Sequence, residues 1–95
     1  MIFEWDDGKD AANLAKHDIS FGQAISIFQG RYVSREDDRQ SYGETRILSL
    51  GELSGQIIIV VVHTARNGNM RIISARRANK KERQVYHDYC NQTSA

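Results

Sequence analysis

Six β-branched residues stand in a row at Ile57-Ile58-Ile59-Val60-Val61-Val62. Side chains branched at Cβ lose χ1 freedom in a helix and pack well on a pleated surface, so Gln56 to Thr64 is read as a strand. A strand that is apolar at both parities has no face to give to water, which makes it a central strand buried on both sides. The run is far short of the roughly 20 apolar residues that cross a bilayer. In a chain of 95 residues this strand anchors one domain, residues 1–95, with a modest core. A composition of 40% hydrophobic and 26% charged residues fits a folded domain rather than a disordered one. One cysteine, Cys90, gives no internal disulfide, and the acidic start Met1 to Asp7 lacks the basic-then-apolar order of a signal peptide. Both features lead to the expectation of a cytoplasmic protein.

The elements around this strand follow from local signals. Phe3-Glu4-Trp5 alternates apolar and polar, as a short strand does. Asp6 or Asp7 can cap a helix carrying Ala11, Ala12, Leu14 and Ala15, which should end near His17-Asp18. Ser20 and Gln23 have capping-box spacing and open a second helix through Ala24, Ile25 and Phe28, stopped by Gly30. The period then becomes alternating. Arg31 to Ser34 reads as a strand, Arg35 to Gly43 as an exposed loop, and Thr45 to Leu50 as a strand turned by Glu52 to Gly55. Asn67-Gly68 is a strong hairpin signal that returns the chain antiparallel into Met70 to Ala75. A last helix starts near Asn79, whose side chain can pair with Glu82, and presents Val85, Tyr86 and Tyr89 as its apolar face. The order β-α-α-β-β-β-β-α predicts an α+β fold of two layers, with helices on a mostly antiparallel, twisted sheet. There is no proline, repeat or low-complexity stretch to mark a linker.

The net charge of +1 hides an asymmetry. Residues 1–52 carry six Lys/Arg against ten Asp/Glu, and residues 53–95 carry seven against two. Either the basic half presents a field that attracts phosphate, or folding brings the two halves together and cancels it.

Several residues in order resemble the BrnT toxins of bacterial type II toxin–antitoxin modules. Trp5-Asp6, Asn13, Lys16-His17, Ser20-Phe21, Ala24 and Phe28 are similar to the opening of that family. Glu44-Thr45-Arg46 is similar to its middle, and Arg71 to Ala78 followed by Glu82-Arg83 and Tyr86 to its end. The resemblance covers nearly the whole chain. It implies a RelE-like fold, endoribonuclease activity, and neutralisation by a cognate BrnA-like antitoxin whose DNA-binding domain represses the shared operon. The toxin itself would meet operator DNA only through that antitoxin, and no membrane is involved. The chain departs from the pattern at Asp18, where the family often has glycine after Lys-His. Aspartate tolerates the left-handed conformation at modest cost, so the turn can survive.

RNA can be cleaved without a metal by driving its own 2′-hydroxyl onto the adjacent phosphate. That needs a group to take the proton, cations to hold the phosphorane charge and an acid for the leaving 5′-oxygen. The chain has no glycine-rich phosphate loop and no closely spaced Cys and His set, so no motif calls for a nucleotide or zinc, and no cofactor is expected. His17 is the candidate for proton transfer, with Lys16 beside it. The competing role for His17 is to cap the carbonyls at its helix end. Arg46 and Arg76 are the catalytic clamp candidates, because guanidinium binds phosphate oxygens bidentately. Strict alternation separates Arg71 from Arg76 unless a bulge intervenes, and either can pair with a carboxylate such as Glu44 or Glu82 instead. Arg66, Arg71, Arg77, Lys80, Lys81 and Arg83 are RNA-binding candidates, the last three at the opening of the final helix.

His63 reads as a hydrogen-bonded core residue, His87 as solvent-facing, and Tyr42 as a loop residue that could stack on a base. Trp5, Phe21, Phe28 and Tyr86 read as core. The alternatives to a nuclease are a non-catalytic nucleic-acid-binding or interaction module of the same fold, or a degenerate toxin that only binds its partner.

Overall fold

The β-branched run forms β4 (Ile57–Arg66), at the centre of a five-stranded sheet. The computed structural model describes residues 1–37 and 43–93. β3 (Arg46–Leu53) and β5 (Asn69–Arg77) flank β4 antiparallel, β2 (Tyr32–Asp37) pairs antiparallel outside β3, and β1 (Phe3–Glu4) runs parallel outside β5. The sheet is therefore mixed, in the order β1-β5-β4-β3-β2. The helices are α1 (Asp7–His17), α2 (Phe21–Ala24) and α3 (Lys80–Thr93), with a 3-10 segment at Ile25–Gln29. No helix among the described residues is long and apolar enough to cross a membrane.

Burial on both faces of β4 sets the layering. Ile59 and Val61 point into a core with Ile19, Phe21, Ala24, Ile27, Ile72 and Ala75. Ile58 and Val60 point the other way, against Leu48, Leu50, Ala78 and Tyr86. α2 and the 3-10 segment cover the first face, and α3 covers part of the second. The molecule thus has three layers, not the two expected, because a strand apolar at both parities requires a cover on each side. Tyr86 supplies the buried contact of α3, while Val85, expected beside it, is 48% exposed.

Local signals held at most chain reversals. Asp6 caps α1 by accepting from the N–H of Lys9 at 2.9 Å, and both halves of the Ser20–Gln23 capping box form. Asn67 and Gly68 both adopt positive φ, 54° and 80°, which the tight β4–β5 reversal requires. Asp18 takes the left-handed conformation at φ 60° and returns its N–H to the carbonyl of Leu14. Two expectations are corrected. The second helix keeps one α turn and then tightens, because β-branched Ile25 and Ile27 disfavour continued α-helix and Ile27 packs straight onto Gly51 of β3. A Cβ at Gly51 would stand 2.7 Å from that of Ile27, so only glycine admits the contact. Arg35 to Asp37 continue β2 in register with Leu48 to Arg46 rather than opening a loop. Tyr42 and the rest of that expected loop up to residue 42 lie outside the described residues.

Two polar devices sit inside the first core. The Asn13 amide Nδ2 donates to the carbonyls of Ile19 and Ala75, both at 2.8 Å, and Oδ1 accepts the N–H of Ala75 at 3.1 Å. β1 pairs with β5 only at Met70 and Arg71, so Asn13 takes the place of a strand at the outer edge of β5 and holds α1 there. His63, buried against the ring of Phe28, bonds through Nε2 to the Ser49 hydroxyl at 2.7 Å, and Ser49 bonds to Ser34 at 2.7 Å. Burial pushes its imidazole down to about 4 from the ordinary 6.5.

Asn13→Ala would strand buried backbone groups at Ala75 and Ile19, and should cost ~2–4 kcal/mol in the urea unfolding free energy. His63 stays neutral in the folded chain while the unfolded chain protonates it near pH 6.5, so stability should fall as pH drops from 6.5 towards 4. Between pH 7 and pH 5 the loss from this residue should be about 2 kcal/mol, and His63→Gln should remove that part of the slope in urea titrations.

Candidate active site

A bulge in β5 decides which arginines meet. Val62 pairs with Ser74 but His63 pairs with Ile72, so Ile73 is an extra residue in the ladder. The bulge puts Ile72 and Ala75, three apart, into the same core and turns Arg71 and Arg76 onto the opposite face. By strand pairing, Arg35 (opposite Leu48), Arg46 (opposite Asp37) and Arg66 (on the parity of Ile58 and Val60) share that face. Five arginines from four strands thus line one side of the sheet, partly beyond the stretch that α3 covers.

Carboxylates from neighbouring elements hold most of these guanidinium groups. Glu4 of β1 pairs with Arg71 at 3.0 Å, and Glu44 reaches Arg66 at 3.1 Å and Arg46 at 3.8 Å. Glu82 takes Arg76 bidentately, at 2.8 and 2.9 Å. The same Glu82 closes the capping box of α3, accepting the Asn79 N–H at 2.9 Å while the Asn79 side chain accepts the Glu82 N–H at 2.8 Å. The Arg76 hydrogen bond holds the Glu82 carboxyl below its usual range, so it remains an anion at neutral pH. Between the first turn of α3 and strands β2 to β5 lies a groove of roughly 300 Å³, floored by Leu48, Leu50 and Val60 and rimmed by Arg35, Arg76 and Lys81.

The remaining candidates fall elsewhere. Lys16 and His17 close α1 along the outer edge of β5, and among the described residues no side-chain hydrogen bond or ion pair joins them to Arg46 or Arg76. Arg77 lies on the opposite parity at the end of β5. With Arg83 and His87 it borders a shallow depression beside the β3–β4 turn, at the other end of β4 from Arg66. Arg83 donates to the Ala78 carbonyl at 3.0 Å. Lys80 and Lys81 are exposed on the first turn of α3, and only Lys81 borders the groove. Burial raises the Tyr86 phenol above its ordinary range, and its hydroxyl donates to the Arg31 carbonyl. No group of three or more His, Cys, Asp or Glu that could hold a metal ion occurs among the described residues. Arg35 was not singled out from sequence. The alternation of Val33 and Arg35 continuing past Ser34 was the available signal.

What this face can do chemically is bind a polyanion: planar, fixed guanidinium groups match phosphate oxygens in pairs. The family model described as the ribonuclease toxin BrnT of type II toxin–antitoxin systems matches residues 5–82. The crystal structure of the Brucella abortus ribonuclease toxin BrnT is similar at a TM-score of 0.64 and 25% identity, covering 84% of this chain and 100% of that one. No curated protein matches the chain. The family match runs from Trp5 through Glu82 and takes in α1, strands β2 to β5 and the five arginines of that face, so this chain belongs to the BrnT family of ribonuclease toxins of type II toxin–antitoxin systems.

Proposed function

We propose that this toxin cuts RNA without a metal on its arginine face, with Arg46 and Arg76 clamping the reacting phosphate. The observation that carries this reading is the gathering of arginines from four strands onto one side of the sheet, where the β5 bulge brings Arg71 onto the face of Arg76. In the reaction the 2′-oxygen forms a bond to phosphorus, the bond to the 5′-oxygen breaks, and negative charge builds on the phosphorane oxygens. The Arg76 guanidinium, already held bidentately by Glu82, meets that charge without reorganising, and Arg46 joins it from β3 with its Nε 3.8 Å from Glu44. Arg35, Arg66 and Arg71 carry the flanking backbone, and Lys80 and Lys81 extend the positive surface along α3. Arg77 and Arg83 are proposed as outlying phosphate contacts.

The proton-transfer role falls to His17, with Lys16 beside it. Asn13, one turn earlier on α1, bonds Ala75, the neighbour of Arg76, so the last turn of α1 and Arg76 adjoin the same edge of β5. An RNA strand crossing that edge reaches both. Neutralisation is assigned to a BrnA-like antitoxin that covers the arginine face and carries the operator-binding domain, with both partners in the cytoplasm. A RelE-like ancestry of the fold belongs to the same reading.

The test is cleavage of single-stranded RNA by purified protein in excess EDTA, with the product ends identified. Wild type should leave 2′,3′-cyclic phosphate and 5′-hydroxyl ends. Arg46→Ala and Arg76→Ala, folded by circular dichroism, should each lose about 100-fold or more in rate, and Arg76→Lys should not restore it. His17→Ala should lose cleavage while keeping most RNA affinity. Intact RNA with folded wild type, or activity abolished by EDTA, would sink the proposal. Separately, co-expression with a BrnA-like antitoxin should restore growth to cells in which the toxin alone arrests it, and continued arrest would remove the antitoxin assignment.

A further inference from the structure

The groove beside α3 has a feature that the clamp does not use. Its floor, Leu48, Leu50 and Val60, is apolar, and its lip is Val85, a 48% exposed aliphatic side chain on a helix that is otherwise polar outside its Tyr86 contact. Around that apolar floor stand three cations, Arg35, Arg76 and Lys81, against one carboxylate, Glu82. Glu82 is already held bidentately by Arg76, and Arg35 lines the same groove from β2. The groove is continuous with the arginine face, since Arg35 and Arg76 belong to both.

A ligand matched to this combination has a flat, largely apolar body and phosphates on either side. That describes a nucleotide unit of a single strand. An unstacked base lays its ring faces against aliphatic side chains and guanidinium planes, while its phosphates meet the rim. An acidic protein segment would satisfy the cations but would leave the narrow floor to whichever side chain happened to fall there. We propose that the groove is a base-binding subsite that holds one unpaired RNA base next to the phosphate clamped by Arg76. It rests on the reading of the arginine face as the cleavage site, and it makes Val85 and Arg35 determinants of where RNA is cut. Stacking on aliphatic and guanidinium surfaces discriminates weakly between bases, so the subsite selects unpaired over paired RNA more than one base over another.

Val85 is exposed, so Val85→Glu can be made without disturbing the core, and it sets a carboxylate at the mouth of the groove. Gln92→Glu, on the exposed last turn of α3, changes the net charge equally and serves as control. The probe is a fluorescent single-stranded DNA of a cleaved RNA sequence, which keeps bases and phosphates but lacks the attacking 2′-hydroxyl. Val85→Glu should weaken binding about 10-fold with Gln92→Glu near wild type, and Arg35→Ala should reduce the slope of log affinity against log salt by about one. In RNA substrates, Val85→Glu should shift or scatter the cut positions mapped by end sequencing. Wild-type affinity and wild-type cut positions in both Val85→Glu and Arg35→Ala would overturn the subsite. So would loss of antitoxin binding alone in Val85→Glu, which would mark the groove as a protein contact. If the DNA strand binds as described but no RNA is cut, the nuclease reading fails and the subsite stands. If RNA is cut and the variants bind normally, the subsite fails alone.

Discussion

One extra residue in β5 does two jobs that the rest of the structure depends on. The bulge at Ile73 lets Ile72 and Ala75 enter the same core, although three positions separate them, and it swings Arg71 onto the face of Arg76. Without it, strict alternation would put either an arginine into the core or an isoleucine onto the binding face. Beyond the short β1, the outer edge of β5 is completed by the Asn13 amide, which bonds both the N–H and the C=O of Ala75 as a strand residue would. The core packing and the placement of the cations on β5 therefore share one local irregularity.

The charge asymmetry of the chain resolves into something between its two expected outcomes. The acidic half does meet the basic half: Glu4 binds Arg71, and Glu44 binds Arg66. These partly exposed pairs add little to stability, because solvent screens them and ordering the side chains costs entropy. Their effect is orientation. A guanidinium fixed by one carboxylate presents a defined plane, and this is the property a phosphate clamp requires.

Legibility in the sequence followed the range of the forces involved. β4, the Asn67-Gly68 reversal, the Ser20 and Asn79 capping boxes and the left-handed Asp18 rest on contacts within a few residues, and each forms as its residues suggest. The bulge was invisible because Ile72 and Ile73 are both apolar, so the pattern fits either register. The third layer was implied by burial of β4 on both sides, yet nothing local says on which face α3 packs. At the candidate site, Arg46, Arg71 and Arg76 could be named, but their common face depends on the bulge. Arg35 is hidden because the polar run after Ser34 reads as a loop, whereas pairing with β3 across Leu48 and Ile47 carries the strand on. Among the described residues no side-chain hydrogen bond or ion pair joins Lys16 or His17 to the arginines, and their position relative to that face is set by tertiary packing that no spacing encodes.

Glu82 ties the remaining pieces together. A capping-box glutamate ordinarily spends its carboxylate on one backbone N–H, but here the second oxygen and part of the first are shared with Arg76. The start of α3 and the orientation of the clamp are thus the same interaction seen from two ends. α3 packs on the sheet mainly through Tyr86 and the partly buried Cys90, a small apolar contact for a helix of 14 residues. Whatever shifts that helix must also turn the Arg76 plane, because Glu82 cannot leave Asn79 without leaving the helix cap. The groove shares the dependence, since Lys81, Glu82 and Val85 form its helical wall and β2 to β5 its floor and far side. Binding a base there and orienting the clamp are therefore linked through a single helix end, and the linkage follows from which atoms Glu82 touches.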